Sequence, residues 1–194
     1  MTIGFFGGSF NPIHSGHILL ARHLVGECDL DMVWMSLSPQ NPLKAPLHGA
    51  SDTQREAMLR LACEPYPCLQ PCVEELLLPK PSYTINTLRH LQAKFPQHHF
   101  RLIIGADNWL IFQQWRQWQA ILRDFGVIVY PRPGYQIACA EGVTVAASAP
   151  QFQYSSTEIR SAVAAGKPVD SMLPASVVEY IKSHHLYQIE DFNS

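Results

Sequence analysis

Short apolar runs alternate along the chain with segments in which apolar residues recur every three or four positions. The runs are too short for helices and are bounded by glycine, proline or polar residues, which predicts buried strands. They lie at residues 3–6, 31–37, 100–104, 127–130 and 143–146. A further short strand is expected near Cys72 and Val73, inside a segment otherwise broken by prolines.

The periodic segments predict helices, each with a start signal or an apolar face. The first predicted helix has Ile18, Ala21 and Val25 on one face. The second starts at Ser51 or Asp52 and is expected to bury Met58, Leu61 and Ala62. The third is expected to be capped by Ser82 and to bury Leu88, Leu91 and Phe95. A tryptophan-rich helix is expected over 107–122, another from Ser155 or Ser156 to Gly166, and a last one from Pro174 with Val177, Val178 and Ile181 inward. Three prolines make 38–47 a loop.

Alternating strands and helices predict an α/β fold. We expect a Rossmann-like, doubly wound and mostly parallel sheet with helices on both faces. No linker or repeat divides the 194 residues, so one domain over 1–194 is expected. In such sheets ligands bind beyond the carboxyl ends of the strands.

Composition narrows the classes of function. The 14 Lys and Arg residues balance 16 Asp and Glu, for a net charge of -2, which disfavours a nucleic-acid binder. No apolar run reaches the roughly 18 residues of a membrane span, and the first residues lack a basic leader, so a cytoplasmic protein is expected. The five cysteines are odd in number and form no C-x-x-C pair, which favours incidental reduced thiols over a zinc site.

Candidate chemistry is concentrated where the first strand meets the first helix, in residues 7–17, G-G-S-F-N-P-I-H-S-G-H. Gly7 and Gly8 are expected to let the backbone turn sharply and a ligand approach closely. His14 and His17 fall on one face of the first helical turn, with Gly16 between them. A helix N-terminus already attracts anions, so two imidazoles there favour a polyphosphate. An alternative is that the two histidines bind a metal ion, but the sequence shows no third ligand fixed nearby. The P-loop pattern and the G-x-G-x-x-G pattern of dinucleotide-binding enzymes are both absent.

Weaker candidates follow at the same predicted edge of the sheet. Lys44 can reach a phosphate or be a solvated loop lysine, and Asp107 can meet a ribose or cap a helix. One of the crowded tryptophans can stack on an aromatic ring, although most tryptophans are core residues. Arg132 lies in a proline-flanked loop, and Arg160 lies one turn into a helix that opens with hydroxyl residues.

Residues 7–17 resemble the signature of the H-x-G-H nucleotidylyltransferase superfamily, which shares its fold and motif with class I aminoacyl-tRNA synthetases. The order H-x-G-H, N-P-L-K, S-Y-T-x-x-T-L, I-I-G-x-D, R-P-G-Y and S-S-T-x-I-R is similar to that of the bacterial nicotinate-nucleotide adenylyltransferases. The resemblance runs from Ile3 to Tyr187. One departure is Leu43, which stands where many members of this family have a histidine in P-P-H-K or P-P-H-R.

The resemblance implies transfer of the adenylyl group of ATP to nicotinate mononucleotide, with Mg²⁺ carried by ATP and no dedicated metal site. It implies that His17 follows the charge that develops on the α-phosphate, that His14 and Arg160 hold the ATP phosphates, and that Lys44 serves either ligand. The implied ATP-binding residues are Gly7, Gly8, Ser9, Phe10, His14, His17, Gly105, Asp107, Arg132, Ser156, Thr157 and Arg160. The implied nicotinate-nucleotide residues are Asn41, Lys44, Thr84, Trp115 and Arg116, with Trp115 stacking on the ring.

Other functions stay open on the sequence. A sister transferase would use nicotinamide mononucleotide, phosphopantetheine or a cytidylyl donor, and the first turn does not separate these. A non-catalytic nucleotide-binding module and a fragment of a class I synthetase are further alternatives. The expected partners are ATP and nicotinate mononucleotide, with no nucleic acid and no membrane, and a homo-oligomer stays open.

Overall fold

The computed structural model describes residues 1–39, 49–137 and 140–188. The strands in this part of the chain are β1 (Thr2–Gly8), β2 (Met32–Leu37), β3 (Leu69–Cys72), β4 (His99–Gly105), β5 (Val127–Tyr130) and β6 (Val143–Val145). The helices are α1 (Ser15–Glu27), α2 (Asp52–Cys63), α3 (Thr84–Lys94), α4 (Ala106–Leu110), α5 (Trp118–Asp124), α6 (Ser156–Ala164) and α7 (Ala175–Ser183). Short 3₁₀ turns lie at Glu74–Leu77 and Phe112–Gln114.

The strands form one parallel sheet in the order β3-β2-β1-β4-β5-β6. The predicted Rossmann-like architecture is therefore confirmed, while the extent of a single domain stays a prediction. The sheet first grows from β1 toward β3 and then resumes on the other side of β1 with β4. This reversal opens a crevice at the carboxyl ends of β1 and β4, where such folds bind ligands.

Apolar side chains form one cluster on each face of the sheet, as expected where helices cover a parallel sheet on both sides. On one face of the sheet, side chains of β1 and β2 pack against α1, α2, α6 and α7. This cluster includes Ala21, Met58 and Val177. The opposite cluster packs α3 and α5 on the sheet through residues such as Leu88 and Ile121. Between these two layers, the parallel strands bring their carboxyl ends to one edge of the sheet.

The tryptophan-rich segment departs from its prediction. A single helix over 107–122 was expected, but α4, a 3₁₀ turn and α5 replace it. Gln117 has a left-handed backbone (φ 54°) and Trp115 is extended (ψ 145°), and both conformations interrupt a helix. The chain bends here around Phe112, whose buried ring contacts the rings of Trp109, Trp115 and Trp118.

Helix starts were predicted with one error. Ser51 and Ser155 are the N-caps of α2 and α6, each in a capping box with the residue three positions later. Ser82, in contrast, does not cap α3, whose N-cap is Tyr83. The Ser82 hydroxyl instead donates to a carboxylate oxygen of Glu75 at 2.9 Å.

Smaller differences concern β3, α2 and α6. The strand expected near Cys72 and Val73 lies slightly earlier, because the next residues turn into the 3₁₀ segment. On α2 the deeply buried leucine is Leu59, whereas Leu61 is half-buried. Gly166 follows α6 with a φ of 65°, as expected of a glycine that ends a helix. Among the described residues, the helices are all too short or too polar to cross a membrane.

Candidate active site

The segment between β1 and α1 forms the floor of the crevice. Gly7 and Gly8 were expected to make a sharp turn, but they are the extended last residues of β1. The left-handed backbone lies at Phe10 instead (φ 41°). Gly8 is needed for space, since a Cβ there would lie 2.9 Å from the Phe10 ring. That ring is buried and meets the His17 ring edge-on, so the Phe10 side chain supports the site from below.

His14 and His17 cap the N-terminus of α1 with their own side chains. Nδ1 of His14 accepts from the backbone N–H of His17, and Nδ1 of His17 accepts from the backbone N–H of His14, each at 3.3 Å. The two rings stack with centroids 3.6 Å apart. Because each Nδ1 is an acceptor, each neutral ring carries its proton on Nε2. The pair therefore offers two parallel Nε2–H donors beside a helix N-terminus, which suits a phosphate.

Both imidazoles are held neutral before any ligand binds. Burial, followed by the charge of Arg132, lowers the pKa of His14 from 6.5 to about 4. Burial also lowers the pKa of His17 well below its ordinary value, with further contributions from His14 and Arg132. An anionic ligand placed between the histidines and Arg132 would reverse this effect, because negative charge favours the imidazolium form.

A pocket opens beside the histidine pair, between β5 and the segment that leads into α6. Its walls include His14, His17, Tyr130, Arg132, Phe152 and Tyr154. The Tyr154 ring meets the His14 ring edge-on, with centroids 5.4 Å apart. Gly16 keeps the packing close, since a Cβ there would lie 3.0 Å from the Phe152 ring and 3.1 Å from Nδ1 of His14. The imidazole and guanidinium groups that line this pocket suit phosphate oxygens.

The ends of β4 and β5 bring an acid and a base together at the rim of this pocket. Asp107 Oδ1 lies 3.8 Å from Nε of Arg132. The Asp107 carboxylate does not cap α4, whose N-cap Gly105 receives no side-chain hydrogen bond. A Cβ at Gly105 would collide with that carboxylate and lie 3.1 Å from Nε of Arg132. Arg132 also donates to the Tyr130 hydroxyl at 3.1 Å, which fixes it beside the histidines.

The start of α6 contacts the β1–α1 segment rather than open solvent. The Ser156 hydroxyl donates to the Pro12 carbonyl at 2.8 Å. Arg160 donates through Nη1 to the Asn11 carbonyl at 2.7 Å and through Nη2 to the Thr157 hydroxyl at 3.2 Å. These predicted ATP ligands are thus brought to the site, and they brace the loop that carries the histidines.

A second cavity adjoins the first across Tyr130, which lines both. Its walls include Gly7, Ser38, Glu75, Thr84, Asn108 and Trp115. Thr84 is the first residue of α3, and no side chain caps this helix. Arg116 lies over the ring of Tyr83 at 4.8 Å, so it stands beside the same helix N-terminus. Three of the predicted nicotinate-nucleotide residues, Thr84, Trp115 and Arg116, therefore gather at one place.

Two predicted residues, Asn41 and Lys44, lie outside the described residues. The described cysteines Cys28, Cys63 and Cys72 are buried free thiols, and Cys68 is partly buried. Burial raises the pKa of the Cys63 thiol to about 12, which makes it unreactive. Cys139 also lies outside the described residues.

Two important residues were missed from the sequence. Arg55 is 1% exposed and reaches under the β1–α1 segment. Arg55 falls on the same helical face as Met58, Leu59 and Ala62 of α2. An arginine on this apolar face was the sequence pattern that could have predicted its burial. Glu75 is buried beside the second cavity, and burial raises the pKa of its carboxyl group. Nothing in its local sequence distinguishes it from the adjacent Glu74.

Comparison with known proteins agrees with this geometry. Residues 5–162 match the cytidylyltransferase-like family. The chain is 40% identical over 193 residues to a protein of Flavobacterium johnsoniae named "probable nicotinate-nucleotide adenylyltransferase", covering 97% of this chain and 100% of that protein. A protein of Bacteroides thetaiotaomicron with the same name is 41% identical over 194 residues, covering 98% and 96%. The chain belongs to the nicotinate-nucleotide adenylyltransferase family. This confirms the resemblance drawn from the motifs.

Comparison with a solved structure independently supports the fold described above. The nicotinic acid mononucleotide adenylyltransferase of Plasmodium falciparum, solved with NaAD, superposes with a TM-score of 0.73 at 16% identity. The match covers 99% of this chain and 98% of that one. At this identity the likeness concerns the fold alone, and the residues of the site rest on the geometry described above.

Proposed function

We propose that this chain transfers the adenylyl group of MgATP to nicotinate mononucleotide, which yields nicotinate adenine dinucleotide and pyrophosphate. The observation that carries the proposal is the stacked His14–His17 pair at a helix N-terminus, in the wall of a cavity that adjoins a second one across Tyr130. We assign the phosphates of ATP to the first cavity, because imidazole and guanidinium groups line it, and the pyridine nucleotide to the second, because Trp115 and Thr84 line it. Membership of the nicotinate-nucleotide adenylyltransferase family supports the same substrates.

The reaction is a single displacement at the α-phosphorus of ATP. An oxygen of the 5′-phosphate of nicotinate mononucleotide forms the new bond, and the bond to the oxygen that bridges the α- and β-phosphates breaks. That electron pair leaves with pyrophosphate. The attacking phosphate is ionised at pH 7, so no general base is needed, and catalysis rests on positioning and on charge stabilisation.

His17 and His14 supply that stabilisation through their Nε2–H groups. The rings are neutral in the free enzyme, and the triphosphate raises their pKa values as it enters between them and Arg132. His17 then donates to the α-phosphate as its charge grows, while His14 and Arg160 hold the remaining phosphates. We assign Asp107, whose Oδ1 accepts no hydrogen bond from a described residue, to the ribose hydroxyls of ATP.

The acceptor occupies the second cavity, with its ring against Trp115. The uncapped first-turn amides of α3, near Thr84, are assigned to the carboxylate of the ring. A carboxylate only accepts hydrogen bonds and suits this helix N-terminus, whereas an amide would turn an NH₂ donor toward other donors. Arg116 adds attraction for the negative charge. Asn41 and Lys44 are assigned to the acceptor's phosphate side by resemblance.

Mg²⁺ enters with ATP as part of the substrate. Among the described residues, no three His, Cys, Asp or Glu side chains group together in a way that would hold a metal ion. The donors that do face the pocket are imidazole and guanidinium N–H groups, which suit phosphate oxygens rather than a cation. Phosphate oxygens and water are the ligands that Mg²⁺ prefers.

A direct test offers the purified enzyme MgATP with one acceptor at a time. The acceptors are nicotinate mononucleotide, nicotinamide mononucleotide and phosphopantetheine, and the readouts are released pyrophosphate and product mass. We expect the mass of nicotinate adenine dinucleotide and rapid release of pyrophosphate with the first acceptor. Turnover with phosphopantetheine alone would assign the chain to a sister reaction, and no turnover with any acceptor would favour a nucleotide-binding module.

A further inference from the structure

The buried Arg55 contacts both the segment before α1 and the residue that follows β2. Nη1 of Arg55 donates to the carbonyl of Ser9, in the segment that carries the histidines, and to the carbonyl of Ser38 at 3.0 Å, just beyond β2. Nη2 donates to Asp52 at 2.6 Å. One guanidinium thus fixes two backbone carbonyls that are far apart in the sequence.

The position of this arginine is costly for folding. Arg55 stands on the apolar face of α2 with Met58 and Leu59, and its Nε makes no hydrogen bond to a described residue. Burying a charge is expensive, and an apolar side chain of similar size is often at least as stabilising. Within the described part of the chain, its charged partner is Asp52, whose side chain is 37% exposed. Stability alone therefore gives a weak reason for an arginine here.

Ser38 lies in the wall of the second cavity and is bonded to the end of β1. Its N–H donates to the Gly8 carbonyl at 2.9 Å, which ties it to the end of β1. Its hydroxyl donates to the buried carboxylate of Glu75 at 3.3 Å, and Glu75 also accepts from Ser82 before α3. The network therefore runs from Arg55 under the histidine segment to the wall of the acceptor cavity.

We propose that Arg55 is a positioning residue, which sets the alignment of the two phosphates by holding the Ser9 and Ser38 carbonyls at a fixed separation. This inference rests on the proposed function, because it assigns one substrate to each side of the arginine. Displacement of a reacting group by about 1 Å can reduce the rate on the order of 100-fold, so a small shift of either segment is sufficient.

The test compares Arg55→Lys and Arg55→Gln with the wild type. Lysine keeps the charge but is shorter and has one nitrogen, so it cannot reach both carbonyls and Asp52 together. We expect kcat, measured at saturating MgATP and nicotinate mononucleotide, to fall at least tenfold in both variants. We expect the Kd of each substrate alone, measured by calorimetry, to stay within threefold of the wild type.

Arg60 provides the matched control. It lies on the same helix, is exposed, and pairs with Glu56 on that helix at 2.8 Å. Arg60→Gln should keep the wild-type kcat and both Kd values. If the Arg55 variants do not fold, as judged by circular dichroism, Asp52→Ala replaces them, because it removes the side-chain acceptor of Nη2 and leaves the buried face of α2 intact. Its kcat should fall at least threefold.

Two results would overturn the inference. A raised Kd for ATP with an unchanged kcat would mean that Arg55 acts by its charge, and a lowered Tm with unchanged kcat would mean that it only supports the fold. If the Arg55 variants do not fold, an unchanged kcat in Asp52→Ala would also overturn the inference. Absence of dinucleotide product from the wild type would contradict the proposed function instead, so the two failures are distinguishable.

Discussion

Acidification should destabilise the folded protein through His14. Its pKa is about 4 in the folded chain against 6.5 for an unperturbed histidine, because burial and Arg132 oppose its charge. Between these values the unfolded chain binds more protons, so the free energy of unfolding falls as the pH drops from 6.5 toward 4. Above pH 6.5 the ring is neutral in both states, and its contribution to stability is complete.

The size of the effect follows from the two pKa values. At pH 5 the unfolded ring is mostly protonated and the folded ring mostly neutral, which costs about 2 kcal/mol relative to pH 7.5. The lowered pKa of His17 acts in the same direction. Urea unfolding of the ligand-free protein at pH 7.5 and 5.0, at constant ionic strength, measures the loss.

His14→Asn separates this effect from general acid destabilisation. Asparagine still caps α1, but it does not titrate, so the variant should lose about 2 kcal/mol less than the wild type between the two pH values. The control is His99→Asn, which changes an exposed histidine at the start of β4 and should keep the wild-type loss. Equal losses in the wild type and His14→Asn would refute the buried, neutral histidine pair.

Three further variants test individual roles. His17→Ala should lower kcat by roughly 100- to 1,000-fold and leave the Kd for ATP nearly unchanged, since it removes a donor needed mainly in the transition state; retention of more than half of the wild-type kcat would exclude this role. Arg160→Lys should raise the KM for ATP at least fivefold, because the single nitrogen of lysine cannot replace the two contacts of the guanidinium group to Asn11 and Thr157. An unchanged KM would place the arginine outside the ATP site. Trp115→Ala should lower kcat/KM for the nicotinate and nicotinamide nucleotides by a similar factor. This factor is about 5- to 150-fold if stacking contributes ~1–3 kcal/mol. A loss confined to one acceptor would contradict simple stacking.

The strands and the histidine turn could be predicted from the sequence because both depend on local pattern. The run at Val127–Tyr130 is apolar at every position, as a strand covered on both faces must be, and its bounds agree with the structure. The spacing of His14 and His17 places both on the first turn of α1, and the structure brings their rings into contact. The family resemblance then supplied the substrates, which the spacing alone does not.

Other features depend on contacts between distant parts of the chain. Arg55 meets a carbonyl 46 positions earlier, and Ser82 gives up the expected cap of α3 for a buried carboxylate on the preceding turn. The predicted helix over 107–122 failed because burial of Phe112 among tryptophan rings outweighed helix propensity. The histidine pair could be located from the sequence, but the hydrogen bonds that set its tautomer and its lowered pKa values required the fold.

The choice between acid and amide acceptors tests the proposed function most directly. Wild-type enzyme is given limiting MgATP with equal concentrations of nicotinate and nicotinamide mononucleotide, and the two dinucleotides are quantified by mass in one mixture. Their early ratio equals the ratio of kcat/KM for the two acceptors. An unpaired buried donor in the amide complex costs roughly 1–3 kcal/mol, and we expect at least ten nicotinate products for each nicotinamide product. Equal amounts of both, or an excess of the nicotinamide dinucleotide, would contradict the account.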